Sequence, residues 1–112
     1  MIFILNTLAV PVDFSMYPSV FVRFTKISVD QAKDIISKNQ FVSAVGHEAT
    51  AKLLSNLLGV EVPVSRREVF MEPGDKAIHF RLKARLPEGA VLGVEQLEKI
   101  GFELVLSEVI HP

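Results

Sequence analysis

The chain contains no cysteine, which excludes a disulfide framework, a thiolate metal site and a cysteine nucleophile, and fits a reducing compartment such as the cytoplasm. It also lacks any surplus of charge. Twelve lysines and arginines stand against thirteen aspartates and glutamates, for a formal net charge of −1. So balanced a chain is no general nucleic-acid binder, and any anion site must be local. The aspartates Asp13, Asp30, Asp34 and Asp75 show no clustered spacing for a two-metal site. The histidines His47, His79 and His111 lack zinc spacing and have no cysteine partner. No metal or other cofactor is therefore expected. A Walker-type loop, a dinucleotide fingerprint and a nucleophile-elbow serine are absent too. The apolar run at residues 1–5 is too short for a signal peptide or a membrane span, and no membrane partner is expected.

What is present fits one globular domain over residues 1–112, with 49% hydrophobic residues to fill a core. A chain of this size buries only about two-thirds of its unfolded surface, so a homodimer that adds buried area is expected. Residues 2–6 are apolar until Asn6, as in a strand buried on both faces. Residues 19–26 alternate as a strand. Ser28 and Gln31 form a capping-box pair that opens a helix ending near Asn39. A second helix is expected from His47 to Leu58, with an apolar stripe of leucines and Gly59 as its stop. Residues 66–71 and 77–84 read as strands about a turn at 72–75, residues 94–100 as a short helix stopped by Gly101, and residues 102–110 as a closing strand. The expected fold class is α/β: a single domain with a mixed sheet of about five strands and packed helices.

Four places carry chemistry. Gly46 and His47 open the second helix, where unpaired N–H groups and the helix dipole receive phosphate and an imidazole can move a proton near neutral pH. The plain alternative is a polar first-turn residue with no task. His79, Arg81, Lys83 and Arg85 fall on one side of the 77–84 strand, either as an anion cradle or as a solvated outer face. Arg85 matches the geometry of phosphate, and Glu88 follows on a turn stiffened by Pro87, placed to orient an imidazole or to join a surface ion pair. Asn6 ends a buried strand at the sheet edge, where ligand-binding side chains often sit, or else caps its own turn.

Taken together, Asn6, the segment Ser43-Ala44-Val45-Gly46-His47-Glu48-Ala49-Thr50, the segment Leu53-Leu54-Ser55-Asn56-Leu57-Leu58-Gly59 and the motif Arg85-Leu86-Pro87-Glu88-Gly89 resemble the viral ring nucleases, or type III anti-CRISPR proteins. These are small proteins of archaeal viruses and phages, with relatives in prokaryotic genomes, that cut cyclic tetraadenylate. The resemblance covers nearly the whole chain. It implies a mixed sheet with helices and a homodimer enclosing the ligand. It also implies His47 as catalytic general acid, Arg85 and Glu88 as supporting catalytic residues, and Asn6 in the ligand pocket. Some members carry a serine shortly after the Asn6 position. Here Thr7 offers the hydroxyl nearest to it, and Arg81 stands where some members have glutamine.

The chemistry agrees with the resemblance. RNA can be cut without metal when its own 2′-hydroxyl attacks the adjacent phosphorus, provided that the protein aligns the groups, stabilises the charge and protonates the leaving 5′-oxygen. A four-membered ring of nucleotides is compatible with a two-fold axis. The expected ligand contacts are Asn6, Thr7, Gly46 and Arg81, and the expected location is the cytoplasm, that of the host if the source is viral. Two other functions compete. One is a binder that sequesters the cyclic messenger without cutting it, which the missing serine favours. The other is a dimeric DNA- or RNA-binding accessory protein using the His79, Arg81, Lys83 and Arg85 side. Neither the net charge nor any helix-turn-helix or aromatic stacking motif supports that last reading, and no duplex nucleic acid is expected as a partner.

Overall fold

In the computed structural model, residues 1–83 and 99–112 are described. Strand β1 (Ile2–Leu5) is buried at all four positions, so its apolar run needs cover on both faces. It receives that cover as an inner strand of a five-stranded sheet. The other strands are β2 (Phe21–Ile27), β3 (Phe41–Ser43), β4 (Lys76–Leu82) and β5 (Phe102–Ile110), in the spatial order β2-β5-β4-β1-β3. β1 runs parallel to both β3 and β4, whereas β5 is antiparallel to β4 and β2. Four strands therefore point one way, and only β5 is reversed. The mixed sheet expected from the sequence is present.

Helix α1 (Val29–Lys38) starts where its sequence says it should. The Ser28 side chain accepts from the Gln31 N–H at 3.1 Å, and the Gln31 side chain accepts from the Ser28 N–H at 2.8 Å. Helix α2 (Glu48–Leu58) ends on Gly59 in the left-handed region at φ 72°, a conformation that costs glycine little. Both helices pack on one face of the sheet. Ala32 and Ile36 of α1 and Ala51, Leu53, Leu54, Leu57 and Leu58 of α2 form one core with Ile4, Ile78, Phe80 and Leu104. Because α2 links β3 to the parallel β4, it crosses over β1, and its N-terminus is left at the carboxyl end of β3.

The opposite face has no helix among the described residues. Phe3, Leu5, Ala77 and Val109 are covered there by Met71, Val69, Val10 and Val20 from irregular segments. This corrects the expected strand at residues 66–71. Among the described residues the segment makes only one bridge, Met71 with Val12, where the Met71 N–H donates to the Pro11 carbonyl at 2.7 Å. Its alternating apolar side chains serve to roof the sheet, not to extend it. Strand β3 was not expected, since three residues are too few for a period to register. The helix expected at residues 94–100 falls mostly outside the described residues, although Lys99 and Ile100 are helical. No described helix is long and apolar enough to cross a membrane.

Candidate functional site

Three parallel strands end at one rim of the sheet. Ile4 pairs with Ser43 and with Ile78, so the residues just beyond β1 and β3 emerge side by side, while β4 runs on past the pairing of Leu5 with His79 to Leu82. Asn6 and Thr7 follow β1, Ala44 to His47 follow β3, and Arg81 lies near the end of β4. Ligands of open α/β sheets collect at the carboxyl ends of the strands, where loops diverge and backbone groups are left unpaired. The half-buried Asn6 makes no side-chain hydrogen bond among the described residues, so it does not cap its own turn. Thr7 is exposed.

His47 is the N-cap of α2 and is exposed, with extended backbone at φ −120° and ψ 120°. Its carbonyl accepts the first helical bond from Ala51 at 2.9 Å, but its side chain caps nothing. The N–H groups of Glu48, Ala49 and Thr50 consequently have no acceptor among the described residues. The contrast with α1 is physical. One helix closes its N-terminus with its own serine and glutamine, whereas the other presents open donors and an exposed imidazole to the rim.

Sequence reasoning overlooked Arg66. The extended segment after Val62 runs back along the end of β3, where the Ser43 hydroxyl donates to the Pro63 carbonyl at 2.6 Å and the Ser65 N–H to the Val45 carbonyl at 2.9 Å. This brings the Arg66 Nε to the Gly46 carbonyl at 3.1 Å. A Cβ on Gly46 would meet the Arg66 Cγ at 3.3 Å, so glycine serves here by letting the arginine stem lie close. The remaining guanidinium nitrogens make no other hydrogen bond among the described residues. The only signal in the sequence is the pair Arg66-Arg67, at the start of a stretch whose alternation predicts a strand.

The stripe on β4 divides. Arg81 and Lys83 are exposed. Arg81 stands opposite Glu103 across β5, and no ion pair joins them. His79 is fully buried and belongs to the interior, with its Nδ1 2.7 Å from the Thr7 carbonyl and its Nε2 2.7 Å from the Ser107 hydroxyl. Burial pushes its imidazole below the ordinary histidine value, and the hydrogen bond to Thr7 opposes that only in part. Arg85 and Glu88 lie outside the described residues. Among the described residues, no three histidine, aspartate or glutamate side chains come together as a metal set. The rim thus combines an exposed imidazole, cationic groups and open backbone donors, a set suited to receiving a phosphate group.

Comparison with known proteins gives the family. The model described as STIV B116-like matches residues 2–104. The chain is 40% identical over 111 residues to uncharacterized protein 26 of Sulfolobus islandicus filamentous virus (isolate Iceland/Hveragerdi), covering 98% of this chain and 92% of that protein. It is 50% identical over 106 residues to uncharacterized protein ORF117 of Acidianus two-tailed virus, covering 92% and 88%. Among solved structures, B116 of Sulfolobus turreted icosahedral virus shares the fold, with a TM-score of 0.76 over 96% of this chain and 97% of that one at 20% identity. With the family match spanning nearly the whole chain and two viral proteins aligned almost end to end, this chain belongs to the STIV B116-like family.

Proposed function

We propose that the chain is a metal-independent ring nuclease that degrades cyclic tetraadenylate, the second messenger of type III CRISPR defence, at the carboxyl rim of β3, β1 and β4. One observation carries the reading: an exposed His47 sits on an uncapped helix N-terminus, on the same rim as Asn6, Thr7, Gly46, Arg66 and Arg81. In the reaction, a ribose 2′-oxygen of the ring attacks its adjacent phosphorus and loses its proton to solvent. The bond from phosphorus to the 5′-oxygen breaks, and His47 gives that oxygen a proton. The first-turn N–H groups of α2 and the arginines offset the charge that builds on the phosphoryl oxygens. The family resemblance makes Arg85 and Glu88 supporting residues, and their chemistry suits Arg85 to holding the phosphate and Glu88 to orienting or tuning His47.

The test is incubation of the purified protein with labelled cyclic tetraadenylate in EDTA. Linear products ending in a 2′,3′-cyclic phosphate are expected, with one ring bound per two chains. Activity that vanishes in EDTA and returns with magnesium or manganese would rule out the mechanism. A monomer in sedimentation that binds one ring by itself would rule out the two-fold site. The sequestering alternative is favoured by the residues after Asn6, which are Thr7, Leu8, Ala9, Val10 and Pro11 in place of the serine some members carry. Tight binding with no linear product would assign that function instead.

Arg66 gives the reading a check independent of the family motif. A hydrogen bond to a charged group is worth about 1.5–3 kcal/mol, so Arg66→Ala is expected to weaken binding about tenfold or more. Equal dissociation constants for the two proteins would remove Arg66 from the site.

A further inference from the structure

The same rim contains a buried polar group that this mechanism leaves idle. His79 and Ser107 are both 0% exposed, and the His79 ring bridges the Thr7 carbonyl and the Ser107 hydroxyl. A carbonyl oxygen only accepts, so the hydrogen must sit on Nδ1. The Nε2 of the neutral ring is then bare and accepts from the Ser107 hydroxyl. One tautomer thereby ties the turn after β1 through β4 to β5. Thr7 is exposed, so the turn lies at the surface while its carbonyl is held by a buried ring. Burying an imidazole to reach it has a desolvation cost that a leucine or phenylalanine at this position would avoid. What the histidine adds is a fixed position for the turn that carries Asn6 and Thr7.

We propose that His79 is the positioning residue for the Asn6-Thr7 turn, and that a second proton on its ring breaks the Ser107 end of the bridge, so that the ring no longer anchors the turn to β5 and ligand binding weakens in acid. A second proton would sit on Nε2, facing the Ser107 oxygen. The hydroxyl would have to rotate and accept, and its own hydrogen would then have no acceptor among the described residues. Among the described residues the cation would also be buried without a carboxylate partner. On this face of the sheet the charged groups are Arg81 of β4, Glu103 of β5 and Lys26 of β2, and β1 contributes only Phe3 and Leu5. Glu103 lies opposite Arg81 and makes no contact of hydrogen-bond length with His79. Phe24 of β2 meets the ring edge-on at 6.3 Å. The covering segments bring Val10, Val20, Val69 and Met71. The titratable Asp13 and Tyr17 of those segments bond elsewhere, to Ser15 and Glu72.

The sign follows from the burial of the ring. The folded protein holds His79 below its unfolded value of about 6.5. The stabilisation due to the neutral ring is complete above that value, declines as pH falls below it, and is lost once the folded ring takes its proton. The identity of the ligand rests on the function proposed above, whereas the coupling of ring to turn does not.

Two readouts keep these apart. The first is an NMR titration of wild-type protein that follows the His79 ring nitrogens and the Leu8 amide, which shares a peptide group with the Thr7 carbonyl. The Nδ1–H tautomer is expected at pH 7, and the Leu8 amide should shift with the same midpoint as the ring, below 6.5. A Leu8 amide indifferent to that midpoint, or an Nε2–H tautomer, overturns the proposal. The second is cyclic tetraadenylate binding in a His47→Ala background, where ligand is consumed only slowly. His79→Phe keeps a ring but no donor, and should bind about tenfold more weakly at pH 7, the worth of one lost hydrogen bond. His79→Asn places an amide N–H where Nδ1–H was, and should restore the affinity while abolishing its loss in acid. A Phe variant that binds like the parent overturns the proposal. If it fails to fold, the wild-type titration and the Asn variant decide. If no protein binds the ring, the proposed function fails and the Leu8 titration still decides the role of His79.

Discussion

His47→Ala is expected to slow single-turnover cleavage of cyclic tetraadenylate by about a hundredfold or more, the usual scale of a lost general acid. The substitution is clean because the His47 side chain is exposed and caps no N–H of α2. Removing it breaks no hydrogen bond among the described residues, so the unfolding midpoint should stay where it was. Binding should also survive, because the open N–H groups of α2, Arg66 and Arg81 remain. A rate effect without a binding effect marks a group that acts only in the transition state. Arg85→Ala should instead weaken both, since a phosphate-holding arginine contacts charge in ground and transition states alike. Cleavage of labelled ring beside a gel-shift assay measures the two quantities. A His47→Ala protein that cuts at the wild-type rate would end the assignment.

Leu54→Ala should destabilise the protein by about 2–5 kcal/mol, a large share of the roughly 5–15 kcal/mol that holds a typical domain folded. Leu54 is 0% exposed and belongs to the same cluster as Ile4, Ile78 and Phe80, so the truncation leaves a cavity between α2 and the sheet. The consequence reaches the site, because α2 is the element that sets His47 on the rim. Urea unfolding followed by circular dichroism gives the shift in midpoint. A midpoint equal to that of the wild type would mean that the stripe of leucines is not what holds α2 down.

Much of the fold was legible because it depends on local periods and end signals. The apolar run of β1, the capping box Ser28/Gln31, the leucine stripe of α2 with Gly59 at its end and the alternation in β5 each act over a few residues. Each therefore leaves a mark in the sequence. Residues 66–71 misled because alternation also arises when an irregular segment lays every second side chain on a sheet face. Strand β3 escaped because a parallel partner, β1, makes it a strand, and a partner distant in sequence has no local signature.

For the site, the sequence by itself determined the candidates His47, Gly46, Asn6 and Arg81 and put His47 at a helix start, since helix ends and strand ends are local events. It also determined, by resemblance, the part expected of Arg85 and Glu88. Only the tertiary structure decided which candidates share a rim, because that depends on the crossover of α2 over β1 and the parallel register of Ile4 with Ser43 and Ile78. It added Arg66, brought to Gly46 by a chain reversal with no periodic signal. It also withdrew His79 from the cationic stripe. Alternation tells which side of a strand a residue faces, but whether that side meets water or a roof is set by segments tens of residues away.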